Sequence, residues 1–454
     1  MVDVYFSRLF ACLVLSGCLM FLISCSPSGD LPPVEGELTD VVQDFTDKMV
    51  QEDFKGAYDY FDQPMRKALP LFQLKMIWRQ LPKQAGSFVK SKGYQYETVQ
   101  GYDVFNVALE FSEAFINMRV VFNEENRVTG LFFQPGKDPD APTYQLPSYA
   151  QPALYTEEEI LFGEKDWELP GTLTVPDGEG RFPAVVLVHG SGPNDRDETI
   201  GGNKPFKDLA TGLANKGIVV LRYDKRTLVH NQKFALDESF TVNEETVLDA
   251  VYAIDFLAEH PKVDPHRIYI IGHSLGASLA PRIVQNQEKV AGCILLAAAA
   301  RPLEDLVVIQ TEYLAKADGT VSKEEENVIK ELKKQQDNIK ELKQSSKTPA
   351  SQLMGVPASY WLDLNAYSPV QTAEDLFVPM LILQGERDYQ VTMEDFELWK
   401  EGLRGKEHVT FKSYPALNHL FIAGEGESLP QEYELPKNVE VHVILDIADW
   451  VNGQ

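Results

Sequence analysis

The spacing of hydrophobic residues changes along this chain in a way that divides it. Over 38–61, Val41, Val42, Phe45, Met49, Phe54, Ala57 and Tyr58 recur at intervals of three and four, which predicts helix. A second helical stretch, 71–81, carries Trp78. From Ser87 the period drops to two: SFVKSKGYQYETVQ, YDVFNVALEF and AFINMRVVFN alternate and are rich in Val, Phe and Tyr, and a turn at 123–126 leads into RVTGLFFQP. Helices followed by an antiparallel meander predict an α+β domain over 38–135. Over 136–152, GKDPDAPTYQLPSYAQP has four prolines and no period, and reads as a semi-rigid linker.

Beyond it, over 153–454, continuous apolar runs (FPAVVLVHG, GIVVLRYD, RIYIIGHS, VAGCILLAAA, MLILQGERD) alternate with amphipathic segments, strongest over 244–259. Strands apolar on both faces and separated by helices predict the α/β class, a mostly parallel, doubly wound sheet. Such sheets bind ligands beyond the carboxyl ends of their strands. The stretch 300–375 is longer than one crossover helix needs. Within it Ser322 and Glu325 form a capping box, and Val328, Ile329, Leu332, Ile339 and Leu342 make one apolar stripe. A helical cap over the site is expected there; docking on the first domain or in a homodimer is the alternative use of the stripe. Tyr360, Trp361 and Leu362 follow it, either lining an acyl pocket or packing.

Directly after RIYII comes Gly272-His273-Ser274-Leu275-Gly276, and a helical pattern begins at once. A serine hydroxyl is a weak nucleophile unless it is exposed, held and deprotonated by a neighbouring base. A sharp strand-to-helix turn supplies the first two conditions. Gly272 and Gly276 let the backbones pack closely, and the Leu275 N–H at the helix start points at a developing oxyanion. Of eight histidines, His419 follows a strand (HVTFKSYP) and sits in a loop, ALNHLF, where a base is needed. His408, His442, His260 and His266 read as surface or packing residues. Asp388, in MLILQGERDYQV, is the acid expected to orient the base, with Glu386 the alternative nearer the strand. The order Ser274, Asp388, His419 differs from the orders of trypsin-like and subtilisin-like proteases. The second oxyanion donor is expected in His189-Gly190-Ser191-Gly192-Pro193, from the N–H of Ser191 or Gly190. His189 itself reads as structural. Asn194-Asp195-Arg196-Asp197 reads as orienting substrate or as a self-paired loop network.

On HGSGPNDRDE, LRYDKR and GHSLGA, the region 153–454 resembles the α/β-hydrolase fold, and in particular secreted bacterial carboxylesterases with an extra N-terminal domain. The resemblance implies hydrolysis of carboxylic esters, of short acyl chains, through an acyl-enzyme that needs no metal or other cofactor. A serine peptidase or acyl-peptide hydrolase with the same triad is the nearest alternative. A lipid-anchored binding protein using the fold as a scaffold is the alternative from another class. Such relatives continue YDKR with G-x-G-x-S, whereas this chain has Thr227-Leu228-Val229-His230, which puts the shape of the acyl pocket in question. The 38–135 domain resembles the NTF2-like cone, on Glu52-Asp53-Phe54-Lys55-Gly56-Ala57-Tyr58 and the helix bearing Trp78. A cone implies substrate gating, or a packing and dimerisation module.

Residues 9–23, LFACLVLSGCLMFLI, carry no charge and follow Arg8, which suits the apolar core of a signal peptide and is short for a spanning helix. Leu22-Ile23-Ser24-Cys25 resembles a bacterial lipobox. That implies a signal peptide over 1–25, lipidation of Cys25 and a tether over 26–37, with an uncleaved anchor as the alternative. Either places the bulk of the chain outside the cytoplasm, against the cell membrane or an outer membrane. Cys12 and Cys18 fall within the signal, so Cys293 remains alone and reads as inert packing. Lys plus Arg number 42 against 68 Asp plus Glu, and a net charge of -26 repels phosphate backbones, so nucleic acid is not an expected partner. No HExxH, paired CxxC or P-loop is present, and no metal site is expected.

Overall fold

The computed structural model describes residues 31–99 and 101–454; the expected signal peptide, Cys25 and the start of the expected tether lie outside them. The chain forms two compact units that part between Ala141 and Pro142.

The first unit opens with helices Leu38–Val50, Phe54–Tyr58, Gln63–Ala68 and Leu71–Ala85, followed by strands β1 (Phe88–Val99), β2 (Tyr102–Phe111), β3 (Phe115–Phe122) and β4 (Val128–Pro135) in an antiparallel sheet of order β1-β2-β3-β4. The period over 38–61 predicted one helical run, and the structure breaks it. Glu52 turns to a φ of 57°, and the Asp53 side chain accepts the Gly56 N–H at 3.0 Å, starting a new helix. The apolar spacing survives because Phe45, Met49, Phe54 and Ala57 still enter one core, with Trp78 and Leu81 against Phe105, Leu109, Met118 and Phe122. The described end of the expected tether is docked. Val34 N–H donates to the Glu125 carbonyl at 2.9 Å, and Arg127 Nε to the Pro32 carbonyl at 2.9 Å. A buried guanidinium needs acceptors, and this strand of chain supplies them.

The second unit is built on an eight-stranded sheet of order β12-β11-β10-β9-β7-β8-β6-β5. These strands are β5 (Tyr155–Phe162), β6 (Leu169–Pro176), β7 (Phe182–Val188), β8 (Val219–Tyr223), β9 (Val263–His273), β10 (Val290–Leu296), β11 (Met380–Gly385) and β12 (Val409–Tyr414). From β8 through β12 the pairs are parallel; β5 and β6 are antiparallel. Two cores sandwich the sheet, because these strands are apolar on both faces. One holds Val186, Ile270, Leu295 and Trp399; the other holds Leu187, Phe206, Ile271 and Ile447. This is the α/β-hydrolase architecture, preceded by the small antiparallel unit. Cys293 is buried in β10, where burial pushes its thiol up to about 12, as suits packing rather than chemistry. The end of the 136–152 stretch is bound to this unit: Tyr144 Oη donates to Asp208 at 2.6 Å, and Tyr149 Oη to the Val439 carbonyl at 2.8 Å.

The insertion is helical: Leu303–Ala315, Lys323–Lys340, Ala358–Asn365 and Pro369–Glu374. The Ser322–Glu325 capping box forms. Leu332 and Ile339 of the stripe are buried with Val307, Leu353 and Trp361 in a small core of the insertion's own. Trp361 is fully buried and donates its indole N–H to the Leu353 carbonyl at 2.8 Å, so it packs and does not line a pocket. Among the described residues no helix is long and apolar enough to cross a membrane.

Candidate active site

The turn from β9 into the helix Leu275–Gln285 places Ser274 at φ 53° and ψ −116°, a conformation that non-glycine residues rarely adopt. Ser274 N–H donates to the Leu296 carbonyl at 2.9 Å, tying the turn to β10. Both flanking glycines are sterically required. A Cβ on Gly272 would lie 2.4 Å from the Gly276 carbonyl oxygen, and one on Gly276 would lie 2.2 Å from the Val188 carbonyl oxygen. Leu275 heads the helix, so its N–H has no intrahelical acceptor.

Asp388 and His419 come from the loops after β11 and β12. His419 Nδ1 donates to Asp388 Oδ2 at 2.6 Å, with both side chains almost wholly buried. Asp388 is itself held: its Oδ1 accepts from the Gln390 and Val391 N–H groups at 2.8 and 3.0 Å, and Gln384 Nε2 donates to Oδ2 at 3.3 Å. The proton on Nδ1 leaves Nε2 with a lone pair, the form a base requires. His273, next to Ser274 in the turn, ties it to the His419 loop: its Nε2 donates to the His419 carbonyl at 2.9 Å and its ring lies 4.6 Å from the His419 ring.

The loop after β7 lies over this turn, and a Cβ on Gly190 would come within 3.2 Å of Ser274 Cβ. The Gly190 N–H, one of the two expected oxyanion donors, is already committed: it donates to Glu198 Oε1 at 2.7 Å. Ser191 is left as the candidate donor on this loop. Glu198 is buried, and its other oxygen lies 2.9 Å from His273 Nδ1, an ion pair rather than an aligned hydrogen bond. Burial alone would lower the His273 pKa, but the Glu198 carboxylate outweighs it and holds the imidazole above its ordinary value. Burial likewise acts to raise Glu198, and the His273 charge outweighs it and keeps the carboxyl low. His189 is the opposite case: burial pushes it down to about 4, so it is neutral, with Nε2 donating to the Asp195 carbonyl at 3.1 Å. Arg196 forks onto Asp224 at 2.9 and 3.1 Å, Asp195 caps Thr199, and Lys204 reaches Asp197 at 2.8 Å. The 194–197 side chains are therefore spent on structural pairs, partly within the loop and partly with Glu159, Arg222 and Asp224 of neighbouring strands and their ends.

Sequence comparison agrees with this architecture. Residues 183–426 match a family model described as serine aminopeptidase, S33, and residues 42–131 match one described as a protein of unknown function (DUF3887). The chain belongs to the serine aminopeptidase S33 family. This S33 chain is 40% identical over 409 residues to Esterase EstD of Thermotoga maritima, covering 90% of its own length and 93% of that protein. It is 24% identical to Esterase FrsA of Vibrio parahaemolyticus over 158 residues, 35% of this chain and 34% of that one. Among solved structures it resembles the hyperthermophilic esterase from Pyrobaculum calidifontis at 17% identity, with a TM-score of 0.42 over 66% of this chain and 86% of that one.

Several residues that shape the site of this S33 chain escape a reading by motif. Glu198 closes the HGSGPNDRDE segment, His273 lies inside GHSLG, Lys225 lies inside YDKR, and Gln384 is next to last in β11. Each sits in a segment that stands out; Lys225 and His273 find partners far along the chain, while Glu198 and Gln384 turn back onto their own segments. Among the described residues no group of three or more His, Cys, Asp or Glu side chains is arranged to hold a metal ion.

Proposed function

We propose that this protein, a carboxylic ester hydrolase by its likeness to Esterase EstD along nearly its whole length, cleaves esters through a Ser274–His419–Asp388 triad. The observation that carries the reading is the 2.6 Å His419–Asp388 pair, linked by His273 to the strained turn that presents Ser274. Ser274 Oγ attacks the ester carbonyl carbon, its proton passes to His419 Nε2, and the carbonyl electron pair moves onto oxygen. Asp388 stabilises the imidazolium, and the N–H groups of Leu275 and Ser191 hold the oxyanion. The tetrahedral adduct collapses, His419 protonates the departing alcohol, and water, deprotonated by His419, releases the acid from the acyl-enzyme. Short acyl chains are the proposed substrates, on the resemblance of HGSGPNDRDE and GHSLGA to secreted carboxylesterases.

The test is turnover of p-nitrophenyl esters of increasing acyl length beside aminoacyl and dipeptidyl p-nitroanilides, with Ser274→Ala as control. Short-ester turnover lost in the alanine variant supports the reading. Anilide cleavage with little ester turnover moves the activity to peptide bonds. Activity surviving in Ser274→Ala, or no fluorophosphonate labelling of the parent, removes the triad. Export and lipidation at Cys25 belong to the same proposal, supported by the 9–25 segment; a mature protein whose Cys25→Ala variant still carries lipid overturns that part. The NTF2-like reading of the first unit is also proposed, supported by its helices-then-meander order.

A further inference from the structure

We propose that Lys225 is a positioning residue for the oxyanion hole, acting through the peptide bond between Gly190 and Ser191; this rests on the triad reading above. Lys225 is 1% exposed, and its ammonium donates to the Gly190 carbonyl at 2.8 Å and to Glu245 Oε1 at 2.9 Å. The Gly190 carbonyl and the Ser191 N–H belong to one planar amide. In a trans peptide the two point in opposite directions. An ammonium fixed on the oxygen therefore aims the Ser191 N–H away from Lys225 and opposes a flip of the plane. A cation on a carbonyl also draws electron density from the amide nitrogen, which makes its N–H a stronger donor. The preceding peptide is pinned as well, by Glu198 on the Gly190 N–H, so the two peptide planes that meet at Gly190 are each held by a buried charge. Asn194 Nδ2 adds a weaker contact to the same carbonyl, at 3.2 Å.

The anchor of Lys225 extends into the insertion. Glu245 Oε2 accepts the Tyr360 hydroxyl at 2.7 Å, so Tyr360, Glu245, Lys225 and the Gly190 carbonyl form one buried chain from the cap to the oxyanion loop. Glu245 and Tyr360 are 5% and 3% exposed, which leaves this chain little access to water. The YDKR segment thereby gains a role for its lysine. Its aspartate serves Arg196 instead, and its arginine serves Asp249, with Nε donating at 3.0 Å.

The test compares the parent with a Lys225→Met, Glu245→Gln double variant, which replaces the ion pair with neutral side chains of similar shape and leaves no lone buried charge. On p-nitrophenyl acetate kcat falls about 100-fold, the effect of a displaced or lost oxyanion donor, while KM stays within about threefold. A trifluoromethyl ketone, whose carbonyl accepts Ser274 Oγ and leaves an oxyanion, weakens in parallel. An isosteric alcohol, which forms none, binds as before. Equal weakening of both ligands, or kcat within about threefold of the parent, overturns the proposal. If the double variant does not fold, Tyr360→Phe decides, because it releases Glu245 from the insertion and keeps the ion pair. Loosening Lys225 lowers kcat about tenfold with the ketone following, and an unchanged kcat overturns the proposal. Ser274→Ala separates the two levels: if it is inactive and the Lys225 variants are fully active, only the positioning role fails, and if it is active, the triad reading fails.

Discussion

Acidification will weaken the second unit, and one separable part of that loss comes from His189. Its ring is sealed between Phe206 and Tyr223, with centroids 5.0 and 5.1 Å away, and burial lowers its pKa from 6.5 to about 4. Above pH 6.5 neither the folded nor the unfolded chain protonates it. Between there and about pH 4 the unfolded chain binds a proton that the folded chain refuses, so stability falls as pH falls. A gap of about 2.5 pH units at about 1.4 kcal/mol each gives about 3.5 kcal/mol in full, of which about 3 kcal/mol is lost by pH 4, where the folded ring is half protonated. The charged neighbours are Glu198 and, more weakly, Asp195, which favour protonation, and Lys225, which opposes it; the Asp195 carbonyl takes the Nε2 proton. His189→Gln retains a donor for that carbonyl and does not titrate. Urea unfolding followed by tryptophan fluorescence reports on this unit, which holds Trp167, Trp361, Trp399 and Trp450. From about pH 6.5 to about pH 4 the parent will lose about 3 kcal/mol more than the variant. Asp208, which burial raises to about 6, works in the opposite direction, is common to both proteins and cancels in the difference. Superimposable pH profiles would refute the reasoning.

Asp388→Asn keeps the shape of the carboxylate but places a donor where His419 Nδ1–H needs an acceptor, and kcat on short esters will drop about 10⁴-fold with KM little changed. Gly276→Ala forces a methyl group to 2.2 Å from the Val188 carbonyl; it will cost about 1–3 kcal/mol in urea unfolding and take activity with it. Trp361→Ala empties the insertion's own core, and hydrogen exchange will show about 3–5 kcal/mol of lost protection over 303–365 with strands β7 to β11 unchanged.

The strand-ending segments were readable because each carries two signals at once. The apolar run through RIYII says buried strand, and Gly272 and Gly276 say close backbone approach, which the 2.4 and 2.2 Å clearances bear out. The long helix of the insertion was readable from Ser322 and Glu325 because a capping box is local. The oxyanion loop was not. Which of Gly190 and Ser191 keeps a free N–H depends on Glu198, whose φ of 50° brings its carboxylate back under the loop, and no spacing of residues announces that twist. The break at Glu52 was hidden for a similar reason. The apolar period continues through it, and only the Asp53 side chain, capping Gly56, marks the restart. Lys225 and Glu245 stand 20 positions apart, so their pairing is a tertiary fact.

The Asp224-Lys225-Arg226 triplet works as an alignment key for its loop. Asp224 meets Arg196, Lys225 meets Glu245 and Arg226 meets Asp249, so three consecutive side chains of sign minus, plus, plus each face an opposite charge. A slip of one residue would bring Asp224 against Glu245 and the Gly190 carbonyl, an anion facing acceptors, in a place from which water is excluded. Misthreaded arrangements of this crossing are thus penalised far more steeply than an apolar loop would penalise them, and the charges favour one alignment of the chain.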